Sequence, residues 1–259
     1  MKNPFVETLR ASHDEQRELE KDFGGQYNAI LGEILHIAMF THFDVAYSCS
    51  RYGQYNCTPS KPAFEGLQRI IRYLASHPHL PLVYPRNKMT GDQEMKYEYD
   101  NGKCYKIRIP NCLHMFAGSD HARDLRTRKS MTCALALILG VLVHRKMEKQ
   151  SCVAADSTDA EVRAFYTCTR INIYLRKINE FLQMHLDGPT KIFEDNQACM
   201  NILTANKVTT RVKHIAVPIA IIHEQIKMMK VIPEWVPTNL QLGDIGNKPL
   251  ANTLFHRHK

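Results

Sequence analysis

Four acidic residues stand where the pattern places the end of a strand or the inner face of a helix: Asp120, Glu161, Asp195 and Asp244. The clearest is Asp195, because Lys191 to Phe193 forms a short apolar run with strand character and Asn196 to Leu203 follows with apolar residues at helical spacing. At the carboxyl end of a strand in an open α/β sheet, a side chain faces the crevice where ligands bind, and a carboxylate there suits a hard cation. Several such acids, gathered, could hold two divalent ions about 3.5 to 4 Å apart, which stabilise the attacking and leaving oxygens of an in-line phosphodiester hydrolysis. Metal-assisted phosphoryl chemistry is thus the first reading.

Composition narrows the classes. A chain of 259 residues holds one large domain or two small ones. No apolar run reaches eighteen residues, and Met1 to Glu7 lacks the apolar stretch of a secretion signal, so neither a membrane partner nor export is expected. The expected location is intracellular, cytoplasmic or nuclear. Eight cysteines without a single Cys-x-x-Cys spacing read as free, mostly buried thiols. A formal net charge of +8 fits a polyanionic partner.

The elements that must position the acids begin after a polar stretch, residues 1 to 23. Apolar residues recur at helical spacing from Tyr27 to Ser50 and again from Ala63 to Ala75, with Pro59 and Pro62 between and Ser60 as N-cap. Alternation on both sides of Asn101-Gly102 predicts a hairpin over Met95 to Arg108. Strands follow at Leu113–Ser119, Met131–Leu139 and Val141–Arg145, then a long helix over Thr158–Met184 that Gly188-Pro189 stops. Beyond the Asp195 unit come a helix over Ile215–Met229 bent early by Pro218, an edge strand over Ile232–Val236, and a short helix over about Asn239–Ile245 that carries Asp244. The fold class is α/β: a mixed five-stranded sheet with flanking helices, preceded by a small helical region.

Three strands followed by helix, strand, helix, strand, helix, with acids at these points, resembles the RNase H domain of copia-type LTR retrotransposons. The likeness is carried by Ser119-Asp120, Asp156 to Glu161, Glu194-Asp195-Asn196-Gln197-Ala198, Lys213-His214-Ile215, Trp235-Val236-Pro237-Thr238 and Leu242 to Leu250. Upstream, Leu31 to Leu35, Phe43 to Tyr47, Leu67 to Leu74 and Leu82 to Tyr84 look like the last segment of a copia reverse transcriptase and its connection, without the polymerase motifs that should precede them. The resemblance implies a reverse-transcriptase remnant over 1–85, a hairpin linker over 86–112 and an RNase H-like domain over 113–259. It also implies a Mg²⁺-dependent endonuclease, with two ions and Mn²⁺ as a substitute, that cuts the RNA strand of an RNA/DNA hybrid to leave 5′-phosphate and 3′-hydroxyl ends. Asp120 would bridge both ions, Glu161 and Asp195 would hold the one near the leaving group, and Asp244 the one that activates water. Arg126, Arg128, Lys129, Asn196, Gln197, Arg211, Lys213 and His214 would contact the nucleic acid, and the RNA strand would be known by its 2′-hydroxyl.

Taken singly, each acid has a plainer role. Glu161, three after Thr158, would close a capping box; Asp195 would favour the next helix's N-terminus; Asp244 would be a solvated surface acid; Asp120 a turn residue. The sequence also departs from the family pattern: His121-Ala122-Arg123-Asp124 is shorter by two and lacks an aromatic, Cys133 replaces a glycine, Asp156 a serine, and Gly246 an aromatic. Gly243 and Gly246 weaken the last helix by roughly 1 kcal/mol each relative to alanine. The rival class is therefore a catalytically inactive, domesticated copy that binds nucleic acid or protein.

Overall fold

The computed structural model describes residues 12–78, 93–98, 104–109, 112–124, 126–184, 186, 188–205 and 210–258. The chain divides into two compact units, Met1–Leu82 and Val83–Lys259.

In the first unit, α1 (His13–Asp22) opens with a capping box: Ser12 Oγ accepts from the Glu15 N–H, and the Glu15 carboxylate accepts from the Ser12 N–H at 2.6 Å. Next come α2 (Tyr27–Phe40), a 3-10 turn (Phe43–Val45), α3 (Ala46–Gly53) and α4 (Lys61–Ser76). The continuous helical stretch expected from Tyr27 to Ser50 is therefore broken. Thr41 leaves helical geometry at φ −132°, its hydroxyl donates to the Ile37 carbonyl at 3.1 Å, and the Thr41 and His42 N–H groups both turn back to that carbonyl. Tyr27, Leu31, Ile34, Phe64 and Leu67 fill the core, with the Tyr27 ring edge-on to Phe64 and its hydroxyl donating to the Tyr52 carbonyl at 2.8 Å.

Gly66 lies on the buried face of α4, where a Cβ would stand 2.1 Å from the Tyr52 ring. Alanine is the better helix former by about 1 kcal/mol. Overpacking against a buried ring outweighs it. Gly66→Ala is expected to destabilise the first unit by about 2 kcal/mol net, seen as a lower urea midpoint.

The second unit contains a hairpin of β1 (Gln93–Glu98) and β2 (Cys104–Ile109), paired from Gln93↔Ile109 to Glu98↔Cys104. The Asn101-Gly102 turn between them lies outside the described residues. The main sheet has β3 (His114–Asp120), β4 (Met131–Ile138), β5 (Val141–Lys149), β6 (Thr190–Glu194) and β7 (Val231–Trp235) in the order β5-β4-β3-β6-β7. The first three strands are antiparallel, β6 runs parallel to β3, and β7 parallel to β6. Parallel neighbours need crossovers. They are α5 (Ser157–Phe181) from β5 to β6, and α6 (Gln197–Thr204) with α7 (Ala216–Lys227) from β6 to β7; α8 (Asp244–Asn247) and α9 (Asn252–His258) end the chain.

Strand alternation decides which side chains face α5. Leu113, Met115 and Ala117 pack with Val162, Phe165 and Cys168 of α5, and Ile192 of β6 joins the same cluster. Phe116 and Phe193 therefore turn to the opposite face, where their rings stack at 4.8 Å. The mixed five-stranded sheet with flanking helices is the fold class expected. Two boundaries differ for physical reasons. β5 runs to Lys149 rather than Arg145, because its polar end still pairs with Met131 to Leu135 while showing no apolar alternation.

The expected helix over Asn239–Ile245 is instead a 3-10 turn (Thr238–Leu240) and the single turn of α8. Buried Gln241 explains the break. Its amide donates to the Ala117 carbonyl at 2.7 Å and its oxygen accepts from the Gly243 N–H at 3.1 Å, so contacts with β3 replace helical hydrogen bonds. Gly243 and Gly118 allow that approach: a Cβ on Gly243 would lie 3.3 Å from the Gly118 nitrogen. Pro218 sits in the first turn of α7, where its missing N–H costs nothing. The eight cysteines are free thiols, of which Cys49, Cys133, Cys168 and Cys199 are buried, half rather than most. Among the described residues, no helix is long and apolar enough to cross a membrane.

Candidate metal centre

The N-terminus of α5 is built by Asp156, whose side chain accepts from the Asp159 N–H at 2.8 Å. Asp156 is thus the cap, and Glu161 is not spent on a capping box with Thr158. Asp159 points elsewhere: it accepts from the Ala155 N–H at 2.8 Å and pairs with Arg163 at 2.7 Å and His214 at 3.1 Å. Burial opposes the charge on Asp159, yet these partners hold its carboxyl below the usual range. It locks the loop to the helix. Glu161, two residues on, is 6% exposed.

β6 brings the second group. Ile192 faces α5, so Glu194, two residues later, returns to the same side. Asp195 follows at the strand end, its carbonyl accepting from the Trp235 indole at 3.1 Å, and Asn196 caps α6 by accepting from the Cys199 N–H at 2.9 Å. Carboxylate oxygens of Glu161, Glu194 and Asp195 all lie within 4.8 Å of one another. Glu194 is fully buried; one oxygen accepts from the Asn196 N–H at 3.0 Å, while Oε2 of Glu194 and Oε2 of Glu161 are buried without a hydrogen-bond partner.

The electrostatics follow. Burial, then the Asp195 charge, raises Glu161 well above the usual carboxylate range, with Lys248 and the nearby Ser119 hydroxyl offsetting part of it. Burial, then Glu161 and Asp195, raises Glu194 in the same way. Asp244, on α8, is buried with Oδ1 2.8 Å from the Lys248 ammonium. Burial pushes it up to about 6, against the pull of Lys248. Orphaned, mutually repelling oxygens of this kind suit a hard divalent cation such as Mg²⁺ or Mn²⁺, and the residues present fit one.

A pH dependence follows from these directions. A carboxyl raised on folding contributes stability that is full below its unfolded pKa and is lost as pH rises through the folded value. For Asp244 that window runs from 3.8 to about 6. The metal-free protein is expected to lose about 1 kcal/mol from this group between pH 5 and pH 7, and excess Mg²⁺ should flatten the trend in a melting series.

Of the acids singled out from sequence, Glu161 and Asp195 come together, and Asp244 couples electrostatically to both. Asp120 ends β3, buried, with Oδ1 accepting from the Met131 N–H at 2.6 Å. Its oxygens are not among the three that converge. Two participants went unsingled: Glu194, whose signal was its spacing from Ile192 in a short apolar strand, and Lys248, one helical turn beyond Asp244.

The basic residues are dispersed. Arg126, Arg128 and Lys129 lie in the β3–β4 connection, which buried Asp124 organises by accepting from the Arg126 and Thr127 N–H groups and pairing with Lys149. The Arg126 and Arg128 side chains are exposed. Lys213 is exposed in a 3-10 turn (Thr210–Ile215) that also carries Arg211, whose side chain lies outside the described residues. His214 is held by Asp159. Asn196 acts as a cap, and the exposed Gln197 donates to Asn201.

Three antiparallel strands joined through α5 to two parallel ones, with acids at the carboxyl end of β6 and on the first turns of α5 and α8, form an RNase H-like fold. No family model matches the chain. It is similar to the retrovirus-related Pol polyprotein from transposon RE1 of Arabidopsis thaliana, 26% identical over 231 residues, covering 89% of this chain and 14% of that protein. It is similar also to the corresponding polyprotein from transposon TNT 1-94 of Nicotiana tabacum, at 24% identity over 88% of this chain and 16% of that one. The resemblance to copia-type polyproteins holds, and the chain spans about one seventh of the length of these relatives. Among solved structures, the N-terminal RNase H domain of rv2228c from Mycobacterium tuberculosis matches at TM-score 0.40 and 11% identity over 56% of this chain and 94% of that one. LC11-RNase H1 in complex with an RNA/DNA hybrid gives TM-score 0.37 and 9% identity over 50% and 88%. The prototype foamy virus protease-reverse transcriptase gives 0.34 and 14% over 80% and 29%.

Proposed function

We propose that this chain is a divalent-metal-dependent ribonuclease H that hydrolyses the RNA strand of RNA/DNA hybrids, leaving 5′-phosphate and 3′-hydroxyl ends. The observation that carries the reading is the meeting of Glu161 and Asp195, from separate elements, with Glu194 within 4.8 Å. Asp244 stands beside them. Bound divalent ions would supply charge stabilisation to the attacking and leaving oxygens of the scissile phosphodiester. The protein's part is to hold the carboxylates rigidly: Asp156 and Asp159 fix the first turn of α5, Trp235 holds the Asp195 carbonyl, Asn196 caps the helix that follows, and Gln241 seats α8 against β3. Exposed Arg126, Arg128 and Lys213 would meet phosphates without reading sequence. The first unit is proposed to be a reverse-transcriptase remnant, as the similarity to Pol polyproteins suggests.

The test is a labelled hybrid incubated with Mg²⁺, Mn²⁺ or EDTA beside single-stranded RNA and duplex DNA. Cutting of the hybrid's RNA strand alone, abolished by EDTA, is expected; equal cutting of all three substrates would overturn the substrate assignment. The alternative reading is a binding module without catalysis. Hybrid binding with no cutting under either metal would support it.

A further inference from the structure

We propose that Glu194 supplies a further carboxylate ligand to the metal centre; the inference rests on the metal-dependent nuclease reading. Three observations lead there.

The first is the face of the sheet. Along β3, Met115 and Ala117 pack on α5, so Ser119 continues that side and Asp120 falls on the other. Along β6, Ile192 packs on α5 and Glu194 continues it. Glu194 therefore shares the face that carries Glu161.

Hydrogen bonding gives the second. Glu194 is 0% exposed, and the Asn196 N–H engages only its Oε1; its Oε2 has no hydrogen-bond partner, and neither does Glu161 Oε2 on a side chain 6% exposed. A buried carboxylate with an unused oxygen carries a desolvation penalty that only a cation or a donor offsets. Two such oxygens share one crevice.

The third is charge. Glu161, Glu194, Asp195 and Asp244 bring four carboxylates together, and Lys248 brings an ammonium that sits 2.8 Å from Asp244. That ammonium and the Arg123 charge that also acts on Asp244 leave four carboxylates short of positive charge, and the converging oxygens of Glu161, Glu194 and Asp195 offer a hard, all-oxygen donor set.

The experiment measures Mn²⁺ binding to the full chain at neutral pH by calorimetry and by the spin resonance of free Mn²⁺, without nucleic acid. Wild type is compared with Glu194→Gln and, on the exposed end of α5, Glu180→Gln. Glu194→Gln is expected to weaken Mn²⁺ binding about tenfold or more, to reduce the rise in melting temperature that Mn²⁺ gives, and in EDTA to melt no lower than wild type, since it removes a buried like charge while keeping the acceptor for Asn196. Glu180→Gln should match wild type. If the glutamine variant does not fold, Glu194→Asp, which keeps the charge and shortens the reach, is expected to show the same ordering. Wild-type affinity in Glu194→Gln overturns the inference while leaving the nuclease reading intact. A wild-type protein that binds no Mn²⁺ removes both.

Discussion

Asp195→Asn is expected to slow metal-dependent cleavage of a hybrid by about a thousandfold or more in single-turnover assays, with no loss of thermal stability in EDTA. The side chain is half-buried within 4.8 Å of Glu161 and Glu194, and it raises both of their carboxyls. Removing its charge takes away a ligand and relieves repulsion at once. An ordinary structural carboxylate would behave in the opposite sense, with a stability cost and little effect on rate. A loss of activity under tenfold would place the chemistry elsewhere.

Phe193→Ala is expected to cost about 3 to 5 kcal/mol in urea unfolding. The ring is fully buried on the face away from α5 and stacks on Phe116 at 4.8 Å with 25° between planes. It also precedes Glu194 and Asp195, so a cavity beneath it loosens the strand end from which both acids project. Cleavage should therefore fall even at temperatures where the variant stays folded. Phe193→Leu, which keeps most of the volume, should recover the larger part of both losses.

The Asp195 unit was legible because a short apolar run gives way there to helical spacing, and the structure ends β6 at Glu194 and caps α6 with Asn196. The long α5 was legible for the same reason, through buried Ala164, Phe165, Cys168, Ile171 and Leu175. The polar edge of β5 carried no such signal, since main-chain pairing rather than side-chain burial holds it. The shape around Asp244 was illegible because it depends on Gln241 and on two glycines meeting from remote parts of the chain.

The faces of β3 are the sharper lesson. In a strand, a shift of one residue moves a side chain to the opposite side. Ser119-Asp120 read as an acid at a strand end without saying which side it takes, and packing of Met115 and Ala117 on α5 answers that question. Glu194 was open to the same reasoning two residues beyond Ile192.

The most direct measurement is anomalous scattering from a crystal of the chain soaked in Mn²⁺. A peak bounded by oxygens of Glu161, Glu194 and Asp195 is expected, at about 2.2 Å from each. A crystal that takes up Mn²⁺ only at other positions, with these three carboxylates still clustered, would contradict the metal centre and the hydrolysis proposed for it.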